Sequence, residues 1–363
     1  MNSEKMSKKI VIVTRSMTSG GAERVIAQLA NYFANDGIFC EIITTESLKV
    51  EYQLNRRIKL DDIGKQSNSK AIDRIKRYNI LRKKIIAEQP DVVLSMPEDT
   101  GIYVILSLIG THIPVYVSER NNPWVMPDVK ITRLLRKVSY PFAKGIIFQT
   151  KMAQSFFPKS IQKKSIVLSN PVDASRIPEP YVGERRKVIA AVGRLAPQKN
   201  FDLLLDAFKD FHDLHSDYRL NIYGEGPLKK HLQEKIDDYG LHDIAFLKGH
   251  SSHVLDDIRE DAMFVLSSDY EGMPNALIEA MCMGMPVIST DCPSGGPREL
   301  IINNKNGLLV EPKNVVQLSS AMSIICDPKK QKGFSMEAVK LKKVYTDIDV
   351  FHSWYSYLFS NVK

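Results

Sequence analysis

What most constrains this chain is an alternation that runs from one end to the other. Short apolar runs of strand length are each followed by a longer stretch with helical periodicity, the signature of βα units and parallel sheets. In the first half the predicted strands are Ile10–Thr14, Cys40–Thr44, Val92–Ser95, Val115–Ser118, Gly145–Gln149 and Ser165–Leu168. In the second they are Val188–Val192, Leu220–Tyr223, Ala245–Leu247, Met263–Ser267, Val287–Ser289 and Gly307–Val310. Helical patterns lie between, such as Ala22–Asn35 and Ile72–Glu88. In the latter, Ile72, Ile75, Tyr78, Leu81 and Ile85 form an apolar stripe opposite a basic face.

At 363 residues the chain exceeds one ordinary core and suits two domains. Asn170-Pro171 and the proline-containing stretch 178–181 interrupt regular structure between the two sets of strands. The expected organisation is a domain over 1–170, a linker over 171–186, a second domain over 187–340, and a tail over 341–363. The tail, with Trp354, Tyr355, Leu358 and Phe359, is expected to be a helix returning toward the first domain. Two such α/β domains place a cleft between the carboxyl ends of their strands.

Four scattered cysteines, Cys40, Cys282, Cys292 and Cys326, show neither metal-ligand spacing nor a disulfide framework, and are expected to be buried free thiols. No apolar run approaches the roughly 18–20 residues needed to span a bilayer. The basic start, Met1 to Lys9, leads into Ile10–Val13, an apolar run too short for a signal-peptide core, so a cytoplasmic location is expected.

Charge is unevenly shared. Residues 1–170 hold 27 Lys and Arg against 15 Asp and Glu, a net of +12, whereas residues 171–363 hold 23 against 27, a net of −4. The excess includes Lys70, Arg74, Lys76, Arg77 and Arg82, then Arg133, Arg136, Lys137 and Lys144. A solvated helix face accounts for such a bias. So does an anionic partner: a membrane surface or a pyrophosphate-linked acceptor. Nucleic acid is disfavoured, because aromatic residues are not interleaved with the basic ones and no binding motif is present. Leu134, Leu135 and Val138 beside Arg133, Arg136 and Lys137 fit either a core-packed helix, the favoured expectation, or a membrane-facing one.

Three loops carry candidate chemistry. Met17–Arg24, with Gly20 and Gly21, follows the first strand and opens a helix, where backbone N–H groups meet an anion readily. A tight βα turn without a ligand is the alternative, and the spacing is not the dinucleotide fingerprint. Gly193-Arg194-Leu195-Ala196-Pro197-Gln198-Lys199-Asn200 places a guanidinium and an ammonium at the end of the second half's first strand. The pair suits a diphosphate, though a surface loop with two cations explains it as well. The third, Ser267 to Met281, joins a strand to a helix starting near Asn275, with Glu271 before that helix and Glu279 inside it. Carboxylates there would accept hydrogen bonds from sugar or ribose hydroxyls.

Taken together, G-G-A-E-R, G-R-L-x-x-x-K and the E-x7-E pair at Glu271 and Glu279 resemble family 4 of the retaining glycosyltransferases. The resemblance implies an α/β chain of the GT-B fold: two Rossmann-like domains with parallel sheets facing a deep interdomain cleft. Arg194 and Lys199 then match the residues binding a donor diphosphate, and Glu271 the carboxylate on the transferred sugar. Glu279 matches the one on the ribose, and Gly20 and Gly21 the loop approaching the diphosphate. Gly272, Met273, Pro274, Asn275, Ala276 and Leu277 fall in the donor loop, and Gly249 and His250 where the base is usually held. Where many members carry a His, this chain reads Val117-Ser118-Glu119-Arg120-Asn121-Asn122-Pro123. Glu119 or Arg120 would orient the acceptor or touch the donor, unless the two form a buried structural contact with each other.

The function implied is transfer of a hexose or N-acetylhexosamine from a nucleotide-diphosphate sugar, UDP favoured, to a saccharide or polyprenyl-pyrophosphate-linked acceptor, with retention. No cofactor or metal is expected, since the only D-x-D spacing, Asp347-Ile348-Asp349, sits in the tail. Such an enzyme would work in the cytoplasm, peripherally on the inner face of the membrane. A nucleotide-sugar 2-epimerase of similar fold and a non-catalytic sugar-nucleotide sensor are the rival readings.

Overall fold

The computed structural model describes residues 8–18, 20–346 and 348–360, without the side chains of Lys70 and Ala71. Ser19 of the first glycine loop and Asp347 of the tail triplet therefore lie outside the described residues. The chain divides into two units, Met1–Pro171 with Ile348–Lys363, and Val172–Asp347.

In the first unit, β1 (Lys9–Thr14), β2 (Phe39–Thr44), β3 (Lys59–Asp62), β4 (Val92–Ser95), β5 (Val115–Ser118), β6 (Gly145–Phe148) and β7 (Ser165–Val167) form one sheet. Its order is β3-β2-β1-β4-β5-β6-β7, and every pairing is parallel. The continuous apolar reading of β1 has a simple cause. Ile10 and Ile12 enter the core on one face of the sheet, Val11 and Val13 the core on the other. The terminal helix, Ile348–Phe359, adds Trp354, Leu358 and Phe359 to the core of this same unit. Trp354 Nε1 donates to the Ser169 carbonyl at 3.0 Å, which fixes the helix against the end of the sheet.

The second unit has β8 (Arg186–Val192), β9 (Arg219–Tyr223), β10 (Ala245–Gly249), β11 (Asp261–Leu266), β12 (Val287–Thr290) and β13 (Leu308–Val310). They are ordered β10-β9-β8-β11-β12-β13, again all parallel. In each sheet the strand order reverses beside the first strand of its unit, between β1 and β4 and between β8 and β11. Such a reversal is where open α/β sheets generally hold their ligands, at the carboxyl ends of the strands.

Several expectations change. Strand β3 was not predicted: as an edge strand reading Lys-Leu-Asp-Asp it has no apolar run to mark it. The stripe of the Lys70–Glu88 helix is only partly buried, since Leu81 and Ile85 are covered while Ile72 and Ile75 are 50% and 63% exposed. Cys40, Cys282 and Cys292 are buried free thiols, but Cys326 is half-exposed. Leu134, Leu135 and Val138 face solvent rather than the core.

Candidate functional site

In the second unit the loops after β8, β9 and β10 pack backbone against backbone. Gly193 N donates to Tyr223 O at 2.9 Å, and Gly224 N to Gly249 O at 2.8 Å. Gly224 has φ +143°, and a Cβ there would lie 1.9 Å from the Gly193 carbonyl oxygen; at Gly226 it would lie 2.3 Å from that of Leu195. Only glycine allows so close an approach. Sequence reasoning passed over Gly224 and Gly226, although a G-x-G directly after β9 was the available signal.

The Arg194 carbonyl accepts from Ala196 N at 2.8 Å, but its guanidinium is exposed and makes no hydrogen bond or ion pair with any described residue. Lys199 turns the other way. Its Nζ sits 2.5 Å from Glu271 Oε1, which also accepts from Ser268 Oγ at 2.7 Å. Around that pair the loops after β8 and β11 are laced together. Asp269 N donates to Gln198 O at 2.9 Å, Gln198 Nε2 to Tyr270 O at 2.9 Å, and Asn200 Nδ2 to Asp269 Oδ1 at 2.8 Å. Ser267 Oγ closes the set by donating to the Lys199 carbonyl at 2.9 Å. Of these, only Lys199 was given a role from the sequence; Gln198, Asn200, Ser267 and Asp269 were not, because each bonds to a residue far away along the chain.

Glu271 is held from behind as well. Its N–H donates to Pro293 O at 2.7 Å, and Ser294 N donates to its carbonyl at 2.9 Å. Four residues on, the helix Asn275–Cys282 starts after Pro274, which has no side chain able to cap it. Its positive end therefore lies at the loop Gly272-Met273-Pro274. That loop is pressed onto the next one: a Cβ at Gly296 would lie 1.8 Å from the Gly272 carbonyl oxygen. Asn275 and Ala276 are half-buried in the first turn, Leu277 is in the core, and Glu279 is 6% exposed one turn inside the helix. Gly249 is half-buried at φ +72°, and His250 beside it is exposed. The second unit thus joins Lys199 to the buried Glu271 between the loops after β8 and β11, with Arg194 exposed in the first loop and the 275–282 helix, which carries the buried Glu279, starting after the second. Among the described residues no three His, Cys, Asp or Glu side chains converge to hold a metal ion.

The first unit places its candidates differently. Gly20 precedes the helix Gly21–Asn35, and both its N–H and its carbonyl bond to the Tyr52 hydroxyl, at 2.9 and 2.8 Å. Tyr52 sits in an irregular segment and gave no signal in the sequence. Glu23 in the first turn has its carboxyl pushed up by burial, against the pull of Arg15 and Arg120.

The alternative of a buried contact between Glu119 and Arg120 does not hold, since each side chain has other partners. Glu119 is buried against Arg136, whose NH1 lies 3.4 Å from its Oε1, and Tyr140 OH donates to the same oxygen at 2.5 Å. Burial pushes the Glu119 carboxyl up, while Arg136 opposes the shift. Arg120 turns elsewhere: its NH2 donates to Asn170 Oδ1 at 2.8 Å, and its backbone N–H reaches Glu98 Oε2 at 3.3 Å.

Residues 19–176 match the family described as Glycosyltransferase Family 4, and residues 176–340 the one described as Glycosyl transferases group 1. From Campylobacter jejuni, GalNAc-alpha-(1->4)-GalNAc-alpha-(1->3)-diNAcBac-PP-undecaprenol alpha-1,4-N-acetyl-D-galactosaminyltransferase is 26% identical over 95% of this chain and 95% of its own. A second transferase from that organism is named for adding N-acetylgalactosamine to a diphospho-undecaprenol glycan. It is 27% identical over 97% of this chain and 99% of its own. Among solved structures, Anabaena HepE in complex with UDP and glucose superimposes with a TM-score of 0.84 at 16% identity, covering 98% of this chain and 100% of that one. Staphylococcus aureus TarM gives a TM-score of 0.80 at 15% identity over 97% and 100%. With two parallel-sheet units, these loops at their switch points and these matches, the chain belongs to glycosyltransferase family 4 and has the GT-B fold.

Proposed function

We propose that the chain is a retaining, metal-independent transferase that moves a hexose or N-acetylhexosamine from a UDP-sugar to a saccharide carried on a polyprenyl diphosphate. The observation that carries this reading is the setting of Arg194. It is an unpaired, exposed guanidinium at the end of β8, in the same loop as Lys199, which Glu271 holds four residues before a helix start. Such an array is matched to a diphosphate, whose oxygens take bidentate and point-charge donors together. UDP is supported by the HepE and TarM complexes that hold it. The lipid-linked acceptor is supported by the names of the two Campylobacter relatives.

In the step proposed, the bond between the anomeric carbon and the β-phosphate oxygen breaks and the electron pair leaves with the diphosphate. Arg194, Lys199 and the 275–282 helix start stabilise that charge. The acceptor hydroxyl attacks from the face the diphosphate leaves, and its proton passes to the departing phosphate oxygen. No protein base is then required, and Glu119, locked to Arg136 and Tyr140, is left with a structural role. Glu271 reads hydroxyls of the sugar and Glu279 those of the ribose. Retention and metal independence rest on the resemblance to retaining family 4 enzymes.

Among the described residues no helix is long and apolar enough to cross a membrane. The proposed place of work is the cytoplasmic face of a membrane, where a polyprenyl-linked acceptor presents its glycan.

The test is a panel of nucleotide sugars screened for protection against thermal unfolding, followed by NMR of the product's anomeric linkage. At one hundred times its dissociation constant the true donor adds about 2.7 kcal/mol. A UDP-sugar that protects and yields a product of unchanged anomeric configuration supports the reading. An inverted product overturns retention, and protection by no nucleotide sugar overturns the donor site.

A further inference from the structure

The helix Lys130–Ser139 faces the wrong way for a core element. Its buried members are Arg136 and Ser139, whereas Ile131, Leu134 and Val138 are 59%, 55% and 56% exposed. Ile131, Leu134, Leu135 and Val138 fall at i, i+3, i+4 and i+7, a single apolar stripe that a soluble helix would bury. The cause of the inversion lies at Arg136. Its guanidinium donates to Met126 O and Pro123 O, both at 2.8 Å, pairs with Glu119, and lies 5.3 and 5.1 Å from the ring centres of Phe156 and Phe157. A charged residue sunk this deeply among five partners pins the polar face inward and leaves the apolar stripe outside.

The exposed surface continues on both sides of the helix. Trp124, Val125 and Val129 before it and Phe142 after it are exposed, the last at 64%. Lys130, Lys137 and Lys144 are exposed among them. From Trp124 to Lys144 there are five Lys and Arg, of which only Arg136 is buried, against one acid, the exposed Asp128. An apolar stripe bordered by that much positive charge disfavours pairing with a second copy, which would bring like charges together. It is matched instead to a surface that is apolar below and anionic above.

We propose that the segment 124–142 is an interfacial anchor, its 130–139 helix lying in the plane of an anionic bilayer. Ile131, Leu134, Leu135, Val138 and Phe142 enter the acyl boundary, and Lys130, Lys137 and Lys144 meet lipid phosphates. This rests on the reading of a lipid-linked acceptor and gives it a docking surface on the first unit. Each basic residue brought near the surface strengthens binding about fivefold.

The experiment uses the full chain and its Leu134→Ser/Val138→Ser variant, with circular dichroism showing that both fold alike. Each is floated with vesicles of phosphatidylcholine alone or mixed with phosphatidylglycerol. Wild type should float with the mixed vesicles only, and the variant's bound fraction should fall by about tenfold or more. Transfer to an undecaprenyl-diphosphate glycan in the mixed vesicles should fall in parallel, while transfer to the same glycan on a short, water-soluble carrier stays unchanged. Undiminished flotation of the variant, or flotation indifferent to phosphatidylglycerol, overturns the anchor. So does sedimentation showing a wild-type dimer that the variant dissolves, which would make this face a self-interface. Loss of flotation in the variant, when wild type transfers to neither acceptor, leaves the anchor standing and overturns the acceptor reading instead.

Discussion

Lys199 and Glu271 meet at 2.5 Å although they lie 72 residues apart, and their contact ties the loop after β8 to the loop after β11. The Glu271 side chain is 8% exposed and that of Lys199 18%. Removing one partner of such a pair leaves the other poorly compensated, with some relief from water at Lys199. Glu271→Ala should therefore lower stability by about 1–3 kcal/mol. Glu271→Gln, which keeps an acceptor for Ser268, should cost less. Urea unfolding of both variants and of Lys199→Met, read as a double-mutant cycle, measures the coupling.

Arg194 should separate function from stability. Being exposed and unpaired, it supports no part of the fold, so Arg194→Ala should change unfolding free energy by no more than about 0.5 kcal/mol. Its kcat/KM should fall by about 10²–10³, and protection by UDP should be lost with it. Near-normal turnover in this variant contradicts the assignment of Arg194 to the diphosphate.

Metal removal should leave transfer intact. Initial rates after treatment with EDTA are expected to match those of the untreated enzyme. A rate abolished by EDTA and restored by manganese would show that a cation, rather than Arg194 and Lys199 alone, neutralises the leaving group.

Gly224 offers a backbone test. A methyl group there would collide with the Gly193 carbonyl oxygen, at a φ of +143° that side chains rarely adopt. Gly224→Ala should cost about 1–3 kcal/mol and displace the loop that carries Arg194. The expected result is a lowered Tm together with weakened protection by UDP. Gly240→Ala, also at positive φ but with nothing near its Cβ, should lower Tm less and leave UDP protection as it was.

A pH slope is expected from Asp261. Burial pushes its carboxyl up to about 7, against the pull of Arg186, which lies 2.9 Å away, and of Arg185. An unfolded aspartate titrates near about 3.9. Between those values the native state binds the extra proton, so Asp261 favours folding at low pH, and that contribution is lost as pH rises from about 4 to about 7. Urea unfolding of wild type and Asp261→Asn across this range should give a flatter dependence for the variant. Parallel curves would show that Asp261 stays ionised in the native protein.

The sequence determined the layered architecture because its signal is local. A strand covered on both faces must be apolar at consecutive positions, as Ile10 to Val13 are, and each such run was legible. Strand β3 was not, because an edge strand with Lys59, Asp61 and Asp62 carries no such requirement. The loop positions of Arg194, Lys199, Glu271 and the glycines were legible for the same reason, since each follows directly from a strand end.

What no local pattern contains is the choice of partner. Lys199 pairs with Glu271, Glu119 with Arg136 rather than its neighbour Arg120, and Gly20 with Tyr52, all across the fold. The 130–139 helix shows the limit most clearly. Periodicity defines its apolar stripe, but a stripe does not say which side faces inward. That was decided by the tertiary structure, where Glu119, two backbone carbonyls and the rings of Phe156 and Phe157 enclose Arg136 and turn the leucines outward.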